Sequence, residues 1–181
     1  MRSKLYRRSV LSMFDFSRED IEYLLNVVHR ISNISEKEKR ELLKGRCMLS
    51  MFFSPSTRTR LSFNIAMQRL GGFVIDFGDI KRSSIAKGET LEDALLTVRE
   101  YEIDIIVVRH PKAGVPKYIS ELCRPIPVIN AGDGNNEHPT QALLDIVTVK
   151  NELGVIDGLT YTLVGDLRLH RTAHSLSLIH I

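Results

Sequence analysis

The sequence predicts an α/β fold: an open, mostly parallel four-stranded sheet flanked by helices, followed by the start of a second α/β domain. Apolar runs of strand length alternate along the chain with amphipathic segments that begin at helix-capping residues. Residues 104–108 are mostly β-branched, as in strands that are buried on both faces of a parallel sheet. Polar clusters follow several of these runs, and open parallel sheets bind ligands at the carboxyl ends of their strands.

The first half of the chain predicts two capped helices and then a strand–helix–strand unit. Ser17-Arg-Glu-Asp20 and Ser35-Glu-Lys-Glu38 have the spacing of capping boxes, so each should open a helix. The second of these helices is charged and should end near Gly45. The unit that follows comprises a strand at 47–53, a helix over 61–70 that ends at a pair of glycines, and a strand at 73–77.

The second half of the chain continues the alternation of helices and strands. Thr90 and Asp93 predict the capped start of a helix, and Pro139 fits the first position of a long one. The remaining predicted elements are a strand at 104–108, a helix over 116–122, strands at 126–129 and 159–164, a helix over 140–153 and a helix beginning at Arg171.

Composition excludes several classes of protein. The 181 residues are 43% hydrophobic and 26% charged, as is usual for globular proteins, and the net charge is only +3. Such a mild and interspersed charge does not indicate nucleic acid as a partner, and no apolar run has membrane-spanning length. Cys47 and Cys123 lack metal-ligand spacing, so we expect a reduced, cytoplasmic protein without a metal.

The stretch Ser54-Pro-Ser-Thr-Arg-Thr-Arg60 joins the first predicted strand to the N-terminus of its helix. Its hydroxyls and the guanidiniums of Arg58 and Arg60 lie where helix amides lack intrahelical partners and the helix dipole is positive. This combination favours an anion, most plausibly a phosphate. The same residues also fit an ordinary Ser/Thr N-cap followed by solvated arginines.

Further polar residues follow other predicted strands. Arg109 comes directly after the strand at 104–108, and His138 and Gln141 follow the strand at 126–129. Because the carboxyl ends of parallel strands lie at one edge of a sheet, these residues and Ser56 to Arg58 should meet in one crevice. Each also has a simpler interpretation, since Arg109 could be a surface residue and His138 a helix N-cap.

Several motifs, in order and at matching spacing, resemble the carbamoyltransferases and in particular their aspartate branch. The resemblance runs from about Asp15 to about Leu176. The motifs that carry it are Ser56-Thr-Arg-Thr-Arg60, Lys87-Gly-Glu-Thr90, Arg109-His-Pro111, Asn130-Ala-Gly-Asp-Gly134, His138-Pro-Thr-Gln141 and Gly165-Asp-Leu-Arg-Leu-His-Arg-Thr172.

The resemblance implies a role for each matching residue. The carbamoyl phosphate site would comprise Ser56, Thr57, Arg58, Thr59, Arg109, His138 and Gln141. Arg109 would bridge the phosphate and the carbonyl oxygen, His138 would donate to that oxygen, and Gln141 would orient the carbamoyl NH₂. The catalytic residues would be Arg58, Thr59, Lys87, Arg109 and His138.

The resemblance also implies partners. Lys87 and Arg171 would bind aspartate, and Ser83, Ser84 and Lys87 would reach a neighbouring subunit's site in a homotrimer. From the residues alone, Lys87 could instead be solvated and Arg171 could pair with Asp166. The implied substrates are carbamoyl phosphate and L-aspartate, in pyrimidine biosynthesis, with no cofactor. A regulatory chain or a fusion to other enzymes stays open.

The predicted domains are a carbamoyl phosphate-binding domain over 1–152, including an interdomain helix, and the beginning of an aspartate-binding domain over 153–181. One strand and part of one helix cannot bury their own apolar faces, so we expect residues from about 155 onward to be marginally stable. The function implied is transfer of a carbamoyl group to aspartate. An ornithine-type carbamoyltransferase and a non-catalytic fragment that binds carbamoyl phosphate are the alternatives.

Overall fold

The computed structural model describes residues 5–77 and 88–178. Its strands are β1 (Cys47–Phe52), β2 (Phe73–Asp76), β3 (Ile105–His110) and β4 (Val128–Asp133). Its helices are α1 (Arg18–Asn33), α2 (Glu36–Lys39), α3 (Thr57–Arg69), α4 (Leu91–Arg99), α5 (Val115–Leu122), α6 (Pro139–Leu153) and α7 (Arg171–Ser177), with a 3₁₀ turn at Met13–Asp15. No helix within these residues is long and apolar enough to cross a membrane.

The strands form one sheet in the order β2-β1-β3-β4, and all neighbouring pairs are parallel. This confirms the predicted parallel four-stranded sheet with its flanking helices. Pairing of β1 with β3 runs from Met48 opposite Ile105 to Phe52 opposite Arg109, so Arg109 lies at the carboxyl edge of the sheet. The carboxyl ends of the strands thus share one edge, as parallel pairing requires.

Alternation along the central strands gives the sheet two apolar faces. Cys47, Leu49 and Met51 of β1 pack into a cluster with residues of β3, β4, α4 and α5. Met48, from the intervening position, packs on the opposite face with Met67 of α3. Side chains on successive residues of a strand point to opposite faces, so burial of both sets places β1 and β3 in the centre of the molecule.

A third apolar cluster joins α1 and α6 beside the sheet. Met13, Ile21, Ala142 and Ile146 are buried in it together with Ile156. This packing fixes α6, the helix that follows β4, and therefore fixes the direction in which its first residues point.

Two predictions made from the sequence are wrong. Residues 159–164 form no strand, because no other described strand lies beside them to supply ladder hydrogen bonds. Val164 is 93% exposed. The charged helix predicted to reach Gly45 is a single turn, α2, followed by hydrogen-bonded turns. It has no buried residue that would stabilise a longer helix.

Candidate functional site

A cavity of about 1200 Å³ opens at the carboxyl edge of the sheet, bordered by α3, α6 and the start of α7. Every residue that the resemblance assigns to the site, and that the structure describes, lines it: Ser56, Thr57, Arg58, Thr59, Arg109, His138, Gln141 and Arg171. The other three predicted positions, Ser83, Ser84 and Lys87, lie outside the described residues. The fold thus brings together residues from four separate parts of the chain.

The N-termini of α3 and α6 face this cavity without a side-chain cap. In α1, α2 and α4 the N-cap hydroxyl accepts a hydrogen bond from the N3 backbone amide, as such residues usually do. Ser56 and His138, the N-caps of α3 and α6, make no such bond, although both line the cavity. The simple capping interpretation of Ser56 therefore does not hold, and the first turn of α3 presents free amides to a ligand. The start of α6 offers fewer, because Pro139 has no N–H and the Gln141 amide donates to the carbonyl oxygen of His138.

The two arginines of the Ser54–Arg60 stretch point to different surroundings. Arg58 lines the cavity, and its guanidinium makes no hydrogen bond or ion pair with another described residue. Arg60 is absent from the lining, and its Nη1 lies 3.7 Å from Oδ2 of Asp76. Of these two arginines, only Arg58 can therefore contribute to the predicted anion site. The prediction that Arg60 also contributes to it is wrong.

Arg109 brings a partly buried guanidinium to the cavity floor. Its Nη1 donates to the carbonyl oxygen of Ala131 at 3.1 Å, whereas its Nε is buried without a partner among the described residues. Burial and the nearby charge of Arg171 lower the pKa of Arg109 below its ordinary value. An anion bound beside Arg109 would stabilise its charge, because the surrounding protein solvates the guanidinium incompletely.

Gly132 allows three cavity side chains to approach one another. Its φ is +112°, and a Cβ there would lie 2.7 Å from Nη1 of Arg109 and 3.1 Å from Nη1 of Arg171. The same Cβ would lie 3.4 Å from Cδ2 of His138. Glycine is required both for this backbone conformation and for the space, so it sets how closely the two guanidiniums and the imidazole can converge.

His138 is buried and held in a neutral state. Thr140 Oγ1 lies 3.3 Å from its Nδ1. Burial, with the charges of Arg109 and Arg171, lowers the pKa of His138 from 6.5 to about 4. At neutral pH the imidazole therefore carries one N–H and can donate a single hydrogen bond without adding charge.

A buried hydrogen-bond network positions the start of α6. The backbone N–H of His138 donates to Ser175 Oγ at 2.9 Å, and that hydroxyl donates to Glu137 Oε2 at 3.1 Å. Before it, Asp133 Oδ1 accepts from Asn130 Nδ2 and from the backbone N–H of Glu137. These bonds join β4, α6 and α7, and they hold His138 at the cavity.

Sequence reasoning missed some of the residues at this site. Glu137 and Ser175 gave no signal, because their contacts join segments that are distant in sequence. Asp145 also lines the cavity, and Gln141 Nε2 donates to its Oδ1 at 3.1 Å. The four-residue spacing of these two on a predicted helix would have been enough to find that pair. No cluster of three or more potential metal ligands occurs within the described residues.

Comparison with known proteins identifies the family of this chain. Residues 8–151 match the family described as aspartate/ornithine carbamoyltransferase, carbamoyl-P binding domain. The chain belongs to this family. The matched residues include the four strands, α3 and all but the end of α6, and therefore most of the residues that line the cavity.

Relatives in the family are longer than this chain. It is 51% identical over 171 residues to the aspartate carbamoyltransferase catalytic subunit of Thermococcus kodakarensis, covering 94% of this chain and 54% of that subunit. It is 48% identical over 175 residues to the corresponding subunit of Methanopyrus kandleri, covering 97% and 56%. The chain therefore spans about half the length of the curated relatives that it matches.

Solved structures of a relative have the same fold. Aspartate transcarbamoylase from Trypanosoma cruzi in complex with N-(phosphonacetyl)-L-aspartic acid is 44% identical, with a TM-score of 0.90 over 97% of this chain and 54% of that one. The same enzyme in complex with carbamoyl phosphate and aspartate gives a TM-score of 0.89 at 44% identity, covering 96% and 57%.

Proposed function

We propose that the cavity binds carbamoyl phosphate and that the chain is the carbamoyl phosphate-binding part of an aspartate carbamoyltransferase. The reaction is transfer of the carbamoyl group to the amino group of L-aspartate, giving N-carbamoyl-L-aspartate and phosphate. The observation that carries this proposal is the meeting of Arg58, Arg109, His138 and the uncapped N-terminus of α3 in one cavity. Fixed donors and cations in that number suit a small dianion.

The reaction needs stabilisation of negative charge at two places. As the amine nitrogen attacks the carbamoyl carbon, charge develops on the carbonyl oxygen, and then the bond from that carbon to the phosphate oxygen breaks. The amine loses a proton, which the departing phosphate can accept. Hydrogen-bond donors fixed in advance around both oxygens are the largest catalytic contribution available to such a site.

The cavity residues divide naturally between these two tasks. Ser56, Thr57, Arg58 and Thr59 hold the phosphate together with the free amides of α3. Arg109 spans the phosphate and the carbonyl oxygen, and the neutral imidazole of His138 donates to the carbonyl oxygen. Its low pKa supports this role, because a neutral donor adds no further charge beside two arginines.

We assign Arg171 to the amine substrate. Arg171 lines the cavity, and Asp166, its predicted alternative partner, instead accepts from the backbone N–H of Arg168 at 3.1 Å. In this proposal Arg171 binds a carboxylate of aspartate, together with Lys87, which lies outside the described residues. A domain boundary near residue 153, a homotrimer with shared sites, a cytoplasmic location and a place in pyrimidine biosynthesis are parts of the same proposal.

Arg58→Ala tests the proposed ligand site, and Arg60→Ala is its matched control. Losing a charge-assisted hydrogen bond of about 1.5–3 kcal/mol should weaken binding of carbamoyl phosphate to the chain roughly tenfold or more. Arg60→Ala should leave binding within about twofold, because Arg60 lies outside the cavity. Isothermal titration of both variants, with thermal unfolding as a check on folding, measures this. Equal losses in the two variants would contradict the site.

Turnover separates the alternative functions. Carbamoyl phosphate is supplied with L-aspartate or with L-ornithine, and the carbamoylated product is measured. Product with aspartate alone supports the proposal, and product with ornithine alone replaces it with the ornithine-type activity. Binding without product from either amine limits this chain to carbamoyl phosphate binding.

A further inference from the structure

Asp145 is an unexpected residue in a cavity proposed to bind an anion. It is the only carboxylate among the described residues that line the cavity, whose other polar side chains are arginines, hydroxyls, histidines and the amide of Gln141. A negative charge there opposes binding of a phosphate. Its presence beside the site would be explained by a contribution that offsets this repulsion.

The contact that Asp145 makes is with Gln141, one turn earlier on α6. Gln141 Nε2 lies 3.1 Å from Asp145 Oδ1, and both side chains are partly buried. An ionised carboxylate can only accept hydrogen bonds, so it selects the NH₂ end of the glutamine amide. The oxygen end, Oε1, is then the part of the amide left for a ligand, and no other described residue donates to it.

A fixed acceptor changes what the cavity can recognise. Serine and threonine hydroxyls can turn to donate or accept, and the arginines only donate. Gln141 Oε1, held in place by Asp145, would supply an acceptor of settled orientation. Of the groups on a carbamoyl phosphate, only the NH₂ needs such an acceptor.

We propose that Asp145 is a positioning residue that orients the Gln141 amide and so selects a carbamoyl phosphate over an acyl phosphate without an NH₂ group. This inference rests on the proposed function, since it assumes that carbamoyl phosphate occupies the cavity. Asp145 acts through Gln141 and does not itself touch the ligand.

The test compares carbamoyl phosphate with acetyl phosphate, in which a methyl group replaces the NH₂. Titration calorimetry of the wild-type chain and of Asp145→Asn gives the affinity ratio for the two ligands. Removing the carboxylate charge should strengthen binding of both phosphates alike, so the ratio isolates the orientation of the amide. Loss of one net hydrogen bond of about 1 kcal/mol predicts a roughly fivefold fall in the preference for carbamoyl phosphate.

Two further variants keep the inference falsifiable. Glu152→Gln removes an exposed carboxylate from the same helix and should leave the ratio unchanged. Gln141→Leu removes the acceptor and should lower the ratio by itself, after which Asp145→Asn should have no further effect on it.

The outcomes of these titrations are distinct. A wild-type chain that binds none of the phosphates overturns the proposed function. A chain that binds carbamoyl phosphate without preference, or whose preference survives in Asp145→Asn, overturns the positioning role alone. A change of ratio that persists when Gln141 is already leucine also overturns it, because the effect would then not pass through that amide.

Discussion

Around Gly132 the side chains of Arg109, His138 and Arg171 share a space that a single Cβ atom would disturb. The positive charges of Arg109 and Arg171 repel each other. Together with burial, these two charges keep His138 neutral. This is a costly arrangement in the absence of an anion. The cost is the physical reason to expect a negatively charged ligand here, because its charge would relieve the repulsion.

His138 should make the stability of the unliganded protein depend on pH. Its pKa is about 4 in the folded protein and near 6.5 when exposed, so the unfolded chain binds more protons between these values. The free energy of unfolding should therefore fall as the pH is lowered through this window. The loss attributable to His138 is about 2 kcal/mol between pH 7 and pH 5.

Denaturant unfolding at both pH values in phosphate-free buffer measures this loss. His138→Gln should lose about 2 kcal/mol less than the wild type over the same interval, since glutamine does not titrate. His29→Gln, at an exposed position on α1, is the control and should behave as the wild type does. A pH dependence that is the same in His138→Gln would contradict a neutral, buried His138.

At the scale of elements, Glu137 joins parts of the fold that are far apart in sequence. Its Oε1 accepts from Ser12 Oγ at 2.6 Å, beside the 3₁₀ turn. Its Oε2 accepts from the backbone N–H of Met13 at 3.0 Å and from Ser175 Oγ of α7 at 3.1 Å. One carboxylate thus fixes the N-terminal turn and α7 against the start of α6.

Substitution of Glu137 should reveal whether this junction depends on hydrogen bonding or on charge. In Glu137→Gln the amide oxygen can still accept from Met13 and Ser175 while the NH₂ donates to Ser12, so we expect a loss below about 1 kcal/mol. Glu137→Leu leaves the Met13 N–H unsatisfied and should cost about 3 kcal/mol. Chemical denaturation measures both. Equal losses in the two variants would show that the charge matters instead.

At the scale of the whole molecule, the segment between α6 and α7 differs from the rest. Leu163 and Val164 are exposed, as are Leu167 and Leu169. The amides of residues 159–165 donate no hydrogen bond to any described residue. Apolar side chains and free amides in one segment are the features of a region with low local stability.

Amide hydrogen exchange should be faster in this segment than in the rest of the described fold. Amides of 159–165 should exchange at close to the rate of an unfolded chain, whereas those of β3 should be protected by the full stability of the fold. We expect α7 to fall between the two, because Ala173 and Ser175 are buried. Mass spectrometry of peptides from these regions measures the rates. Protection of 159–165 equal to that of β3 would overturn the expectation.

Local patterns were enough to predict most of the fold. Capping boxes placed α1 and the start of α2, and the β-branched run at 104–108 placed β3, because these signals depend on neighbours in the sequence. The helix predicted to extend to Gly45 and the strand predicted at 159–164 failed for a shared reason. Each has local propensity, but neither has the packing or the partner strand that regular structure requires.

By itself, the sequence determined the parallel sheet and the residues at the carboxyl ends of its strands, because periodicity locates the strands and parallel strands share their carboxyl edge. Only the tertiary structure decided which of those residues share the cavity. It separated Arg58 from Arg60, left Ser56 and His138 without capping bonds, and brought Asp145 to Gln141. The physical reason is that burial, pKa and hydrogen-bond partners depend on distances between segments that are remote in the chain, and a linear pattern does not contain those distances.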